Sequence, residues 1–278
     1  MFRPLDDMET VRRNETASVK KLRKGDASWA TCKKVLGWII DTTAMTIHLP
    51  QRRVDRLEEI LESIPRSQRR TSLKKWHKVL GELRSMTLAI PGARGLFSEL
   101  QHAFKDRPAA HRLKLSKGVH DALDDFRLLF GDLARRPTRL YELVPLAPTL
   151  TGTHDASGHG AGGIWLPSDT AVPRLHDNNH PIVWRMTFPT SVTTDLASFQ
   201  NPRGPITNSD LELAGSLLHH KAAVQTYDIQ ERTVLSRANN TPTVFRQRKG
   251  SATTTGPAAY LLRQQALHQL LRYAKRKC

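Results

Sequence analysis

Hydrophobic residues recur with two different periods in this chain of 278 residues, and the change falls near residue 150. Before it, apolar residues return every three or four positions, which is typical of helices that bury one face. After it, LTGTHDAS, GGIWLP and PIVWRMTFP read as three successive strands joined by glycine or polar turns. The chain is therefore expected to join a mainly helical first part to an α/β second part.

The first part is predicted to begin with a hairpin and to continue as helices. VLGWIID and MTIHLP, within residues 33–50, are apolar and β-branched and are split by Asp-Thr-Thr-Ala. Helical spacing follows in QRRVDRLEEILESI, which Pro65 ends, and in RTSLKKWHKVLGELRSMTLAI, whose start Thr71 or Ser72 can cap. A short helix in GLFSELQHAFKD and a longer one over residues 116–136 complete this part. LYELVPLAPTL, residues 140–150, has the prolines and the missing period of a connector.

The second part is predicted to alternate strands and helices. NSDLELAGSLLHHKAAV, residues 208–224, is a helix that Asn208 or Ser209 can cap. YDIQERTVLS is a further strand and PTVFRQRKG a short basic helix or turn. The last helix, PAAYLLRQQALHQLLRYAKRK, ends in cations, which suits the helix dipole.

Charge points to a polyanionic partner. The net charge is +17 and the pI about 10.4, and Lys and Arg outnumber Asp and Glu by 29 to 18 in residues 1–150 and by 14 to 8 thereafter. A long polyanion that touches both halves fits this better than a small acidic ligand. Only Cys32 and Cys278 are present, no apolar run approaches a membrane span, and the N-terminus lacks a secretory signal. The sequence therefore predicts an intracellular protein, in cytoplasm or nucleus, without a membrane partner.

One aspartate, Asp155, lies in the glycine-rich stretch GTHDASGHGAGGIWLP. A phosphate-binding glycine loop should run from a strand into a helix, whereas GIWLP predicts another strand. The glycines therefore indicate a tight hairpin, with Asp155 near the end of its first strand; a purely turn-forming aspartate is the alternative. Glu212, in the first turns of the helix after the third strand, can converge with Asp155 on a hard divalent ion, whereas Asp210 fits a helix N-terminal role.

This order of elements resembles the ribonuclease H domain of retroelement polyproteins over roughly residues 145–278. VLGWIID, MTIHLP and KKWHKVLGELRSMTLAIPGARGLFSELQHAF are in turn similar to the palm end, thumb and connection of a reverse transcriptase. The resemblance implies an α/β fold: a helical thumb and connection region, then a ribonuclease H-like domain with a mixed five-stranded sheet flanked by helices. The implied division is a poorly ordered segment 1–28, a palm-end hairpin and thumb 29–110, a connection helix and linker 111–147, and a C-terminally truncated ribonuclease H-like domain 148–278.

The family's nuclease centre holds two Mg²⁺ ions with several carboxylates. The resemblance implies that Asp155 is the first ligand and Glu212 the second, while Asn239, in LSRANNTPTVF, stands where the family has a third aspartate. A neutral amide there weakens metal binding and lowers the rate by hundreds-fold or more. No candidate appears for the family's fourth acid, and nothing upstream of the hairpin resembles the paired aspartates of a polymerase.

The resulting hypothesis is a fragment that binds nucleic acid, an RNA–DNA hybrid or duplex DNA, alone or with other polyprotein segments or subunits. It has no polymerase site, and its two-metal nuclease centre is incomplete, with a weakened Mg²⁺ site. Two alternatives remain: an active Mg²⁺-dependent ribonuclease H-type endonuclease, and a non-enzymatic double-stranded DNA-binding protein. A decayed, marginally folded product is a further one. Some of the basic residues can instead form a plain solvated face. The residues expected to face phosphates are Lys74, Lys75, Lys78, Arg94, Arg246, Arg248 and Lys249.

Overall fold

The computed structural model describes residues 30–87, 90, 92–104, 112–133, 137–143, 147–168, 180–229, 232–250 and 256–274. The N-terminal segment 1–28 lies outside them. The described elements form a mixed α/β protein, as predicted. None of the described helices combines the length and apolar character needed to span a bilayer.

The strands are β1 (Cys32–Val35), β2 (Trp38–Asp41), β3 (Thr46–His48), β4 (Arg70–Ser72), β5 (Arg112–Lys114), β6 (Thr138–Arg139), β7 (Leu150–Ala156), β8 (Gly160–Pro167), β9 (Ile182–Thr187) and β10 (Val234–Arg237). The α-helices are α1 (Gln51–Glu62), α2 (Leu73–Met86), α3 (Phe97–His102), α4 (Lys117–Leu133), α5 (Thr190–Thr194), α6 (Asn208–Thr226), α7 (Thr241–Lys249) and α8 (Gly256–Ala274). Single 3₁₀ turns cover Ala93–Leu96 and Leu140–Glu142.

A small antiparallel sheet contains the predicted hairpin. Its strand order is β1-β2-β3-β6, so the hairpin extends into a meander and gains a two-residue strand just before the predicted connector. The reversal between β1 and β2 places Leu36 and Gly37 in left-handed backbone, with φ of 50° and 82°. Glycine adopts this conformation without a Cβ clash, which makes it suited to a two-residue turn.

Helices α1 to α4 enclose the larger core, at the positions that helical spacing predicted. Ser72 caps α2, because its Oγ accepts a hydrogen bond from the Lys75 N–H at 3.2 Å. Strands β4 and β5, which the sequence did not predict, pair with each other beside α2. The largest fully buried side chains of this core include Leu57, Ile64, Trp76, Leu83, Leu96, Leu100, Leu113, Leu123 and Phe126.

The second sheet presents Asp155 at one end. Its order is β10-β7-β8-β9, with β10 parallel to β7 and the other pairs antiparallel. Helix α6 packs across one face, against β7 and β8. A mixed sheet was predicted with five strands, whereas the described residues form four. The first three predicted strands lie at β7, β8 and β9, and only the end of the next one is a strand, β10.

The last helix, α8, packs on both parts of the chain. Ala266 is buried in the helical core, and Leu262 packs with Leu213 of α6. A Cβ on Gly95 would come within 2.5 Å of the Leu262 carbonyl oxygen, so this contact requires glycine. Helical spacing revealed the apolar face of α8 but not which core would bury it. The predicted division at residue 147 stays a prediction, and α8 contacts elements on both sides of that boundary.

Candidate functional site

Asp155 lies near the end of β7, at an exposed position of the strand. The strand alternates, so that Gly152, His154 and Ala156 are buried while Thr153 and Asp155 are exposed. The next residues form a tight turn, in which the Ser157 N–H donates to the Gly160 carbonyl at 2.8 Å. The glycines therefore do belong to a hairpin, as predicted.

Glu212 is held in place by the first turn of α6. The Thr207 N–H and Oγ1–H both donate to Asp210 Oδ2, at 2.9 and 2.7 Å, and Arg246 pairs with the other Asp210 oxygen at 3.1 Å. Thr207 is thus the N-cap, rather than Asn208 or Ser209, and Asp210 has the structural role predicted for it. This fixed first turn sets Glu212 against the end of β7.

Asp155 and Ala156, at the end of β7, lie close enough to Glu212 to influence the charge of its carboxyl group. Burial, and then the charge of Asp155, raise the pKa of Glu212 above its ordinary value. The Glu212 side chain is only 4% exposed, and its Oε2 has no hydrogen-bond partner in the described part of the chain. Two crowded carboxyls, one with an unsatisfied oxygen, form a donor set that suits a divalent cation.

Asn239 comes to the same end of the sheet. The parallel register ends at Arg237 opposite Thr153, and Asn239 and Asp155 each lie two residues further along. Asn239 is exposed, while its neighbour Asn240 caps α7 by accepting from the Thr243 N–H at 2.9 Å. Across the described residues, no group of three His, Cys, Asp or Glu side chains is placed to share a metal ion. The carboxylates thus number two where the resemblance implied more.

Removing one charge of this pair should stabilise the metal-free protein. A carboxyl whose folded pKa is raised contributes stability below its unfolded pKa, near 4.5 for Glu212, and loses it as pH rises through the raised value. Asp155→Asn removes the like charge, so we expect the free energy of unfolding to rise by about 1 kcal/mol at pH 7 in EDTA. Between pH 5 and pH 8 the variant should also lose less of this free energy than the wild type does. Urea unfolding measures both quantities.

The matched control is Asp195→Asn, at an exposed aspartate outside this pair, which should leave the free energy of unfolding unchanged. A destabilised Asp155→Asn protein would contradict a repulsive carboxyl pair. Added Mg²⁺ should stabilise the wild type and not the Asp155→Asn variant.

Near this site, His219 of α6 is buried against the face of the sheet that α6 covers. Its ring stacks on Trp165 at 3.8 Å, and its Nδ1 accepts a hydrogen bond from Trp184 Nε1 at 2.8 Å. Burial, followed by the nearby His154 and His220, lowers the pKa of His219 to about 3, so the ring is neutral near pH 7. A Cβ on Gly152 would lie 2.6 Å from His219 Nε2, and one on Gly163 would lie 2.8 Å from Nδ1. These glycines leave the space that the imidazole fills.

The basic residues predicted to face phosphates fall into two groups. Lys74, Lys78, Arg248 and Lys249 are exposed, on α2 and at the end of α7. The other three contact the protein itself: Lys75 Nζ donates to the Ser63 carbonyl at 2.6 Å, Arg94 Nη1 to the Arg248 carbonyl at 3.5 Å, and Arg246 pairs with Asp210.

No protein-family model and no curated protein matches the chain. Among solved structures, it is similar to a foamy viral protease-reverse transcriptase in complex with an RNA/DNA hybrid, with 12% identity and a TM-score of 0.32 over 89% of this chain and 28% of that one. Two further structures of that viral protein are similar at a TM-score of 0.34. One is its dRH form with double-stranded DNA, with 12% identity over 90% of this chain and 37% of that one. The other is a complex with double-stranded DNA, with 14% identity over 81% of this chain and 40% of that one. The chain thus spans less than half the length of these proteins, and likenesses this weak do not assign its fold.

Proposed function

We propose that this chain is a nucleic-acid-binding fragment of a retroelement reverse transcriptase and ribonuclease H, which grips an RNA–DNA hybrid and has an incomplete nuclease centre and no polymerase site. The observation that carries the proposal is the proximity of Asp155 and Glu212 at one end of the second sheet, in a chain of net charge +17. A basic chain attracts the phosphate backbone, and paired carboxylates are the groups that hold a cation beside a phosphate.

The two carboxylates fit one Mg²⁺ ion better than two. Asp155 and Glu212 would be its protein ligands, and the unsatisfied Glu212 Oε2 is the atom that a cation would satisfy. When bound, such an ion polarises a phosphoryl oxygen and lowers the pKa of a water molecule. Asn239 would add a neutral carbonyl, so the set lacks the charge that a second ion requires.

The helical part would hold the duplex by its backbones. Lys74 and Lys78 lie one turn apart on α2, and both are exposed. Residues three or four apart project from the same face of a helix, so both ammonium groups can reach one phosphate strand. Contacts of this kind read the geometry of a hybrid rather than its bases.

Fluorescence anisotropy with a short labelled RNA–DNA hybrid tests the proposal. The wild-type chain should bind with a steep salt dependence, and Lys74→Gln with Lys78→Gln should lower the slope of log K against log salt by about 1.8. The matched control replaces Lys34 and Lys114, two exposed lysines on β1 and β5, and should change affinity much less.

Each alternative gives a different result in the same assays. Tighter binding to duplex DNA than to hybrid would favour a double-stranded DNA-binding protein. Release of RNA fragments in Mg²⁺ that Asp155→Asn abolishes would show an active nuclease. Failure to bind any nucleic acid would overturn the proposal, and a non-cooperative thermal transition would favour a decayed product.

A further inference from the structure

Two arginines, Arg185 and Arg237, share the open face of the second sheet with Asp155. Trp184 of β9 and Ser236 of β10 contact His219 and His154 on the face covered by α6. Since successive residues of a strand leave the backbone on opposite faces, the Cβ atoms of Arg185 and Arg237 lie on the other face, as does that of Asp155, which follows His154 at the end of its strand.

The strand register places these arginines on either side of Asp155. Asp155 pairs with Gly162, which pairs with Arg185, so the residue between the carboxylate and Arg185 has no side chain. On the other side, Arg237 pairs with Thr153, diagonally next to Asp155. Neighbouring strands are about 4.8 Å apart and a strand rises about 3.3 Å per residue, so the two arginine backbones, separated by three strand spacings and two residues, are about 16 Å apart.

Both arginines are exposed, and neither side chain makes a hydrogen bond or ion pair within the described residues. The apolar residues of this face lie further from Asp155 along the strands: Leu166, Leu235 and Val183 are 44%, 39% and 78% exposed. The end of the face that carries Asp155 is therefore its cationic end. Charge complementarity there favours an anion, and the spacing of about 16 Å favours an anion with several charges.

We propose that Arg185 and Arg237 bind backbone phosphates of the nucleic-acid strand that crosses Asp155, one on each side of the carboxyl pair. This rests on the proposed function and adds the residues that orient the strand at that site. Guanidinium groups bind phosphate through two parallel hydrogen bonds, which fixes direction as well as position. The flanking arginines would also offset the repulsion between the phosphates and the two carboxylates.

The test compares Arg185→Gln/Arg237→Gln with the wild type by anisotropy on the labelled hybrid, in EDTA and over a range of salt. We expect an affinity loss of roughly tenfold for each arginine. The slope of log K against log salt should fall by about 1.4 to 1.8. The matched control, Arg70→Gln/Arg112→Gln, removes two exposed arginines from β4 and β5 and should lower the slope by less than half as much.

A second measurement locates the strand. In EDTA, Asp155→Asn removes a negative charge from beneath the phosphates and should tighten binding several-fold in the wild-type background. This gain should disappear in the Arg185→Gln/Arg237→Gln background, because the strand no longer crosses Asp155. Urea unfolding of each variant tests whether the fold persists.

The outcomes separate the two proposals. If the wild type does not bind the hybrid, the proposed function fails. If the wild type binds and the arginine pair behaves like its control, the assignment of Arg185 and Arg237 alone is overturned. A protein that docks on the apolar end of this face would also give that second result, with affinity for hybrid unaffected by the arginines.

Discussion

Replacing Asn239 with aspartate should raise cleavage of the RNA strand of a hybrid by roughly a hundredfold or more in Mg²⁺, from a wild-type rate near background. The parallel register of β10 and β7 brings position 239 to the end of the sheet where Asp155 meets Glu212. A third carboxylate there supplies the anionic charge that a second cation requires. A gel assay of labelled hybrid measures the rate.

Two variants control this experiment. Asn239→Ala changes the same side chain without adding charge and should stay at background. Asn239→Asp combined with Asp155→Asn should lose the gained activity, since one ligand is exchanged for another. Equal cleavage by the wild type and Asn239→Asp, abolished in both by Asp155→Asn, would show that the centre is already complete.

Replacing Arg263 with methionine should cost about 3 kcal/mol of stability at pH 7, the largest loss that we expect from a single polar side chain. Arg263 of α8 and Asp125 of α4 form an ion pair with side chains only 12% and 13% exposed, and its Nη2 to Oδ1 distance is 3.1 Å. Without Arg263, the Asp125 carboxylate would be buried and uncompensated. Urea unfolding measures the loss.

The pH dependence checks the cause. Burial raises the pKa of Asp125 even beside Arg263, and removal of the guanidinium should raise it further. Since a raised carboxyl pKa means stability lost as pH rises, the defect should be larger at pH 8 than at pH 5. Lys117→Met removes an exposed partner of Asp121 and should cost at most about 0.5 kcal/mol. A similar loss in both variants would contradict a special role for the buried pair.

The sequence predicted the elements with a sustained period and missed several of the shortest ones. Helices α1, α2, α4 and α6 carry apolar residues over three turns or more, whereas β4, β5 and β6 have two or three residues each and therefore no measurable period. The cap of α6 was placed one or two residues late, because Thr207, Asn208 and Ser209 are all good capping types. Only the fold shows which of them precedes the first turn.

The candidate site was predicted in part. The order of elements was enough to expect Asp155 and Glu212 together, because a strand and the helix packed on its sheet share an end. It could not show that Arg246 would pair with Asp210, since a basic helix looks the same whether its cations face solvent or a buried acid. Given the register of the strands, counting alternate residues could have shown that Arg185 and Arg237 lie on the same face of the sheet as Asp155.

The glycines around Asp155 are matched to a side chain on another element. Gly152 and Gly163 lie under the ring of His219, which is more than fifty residues further along the chain. Glycine and histidine therefore form one steric unit across the sheet and the helix. A methyl group at either glycine would also meet a backbone oxygen, that of Ile164 at 2.7 Å for Gly152 and that of Thr153 at 2.6 Å for Gly163. A smaller residue at position 219 would therefore not be enough to admit it, and both glycines are constrained by the sheet as well as by the helix.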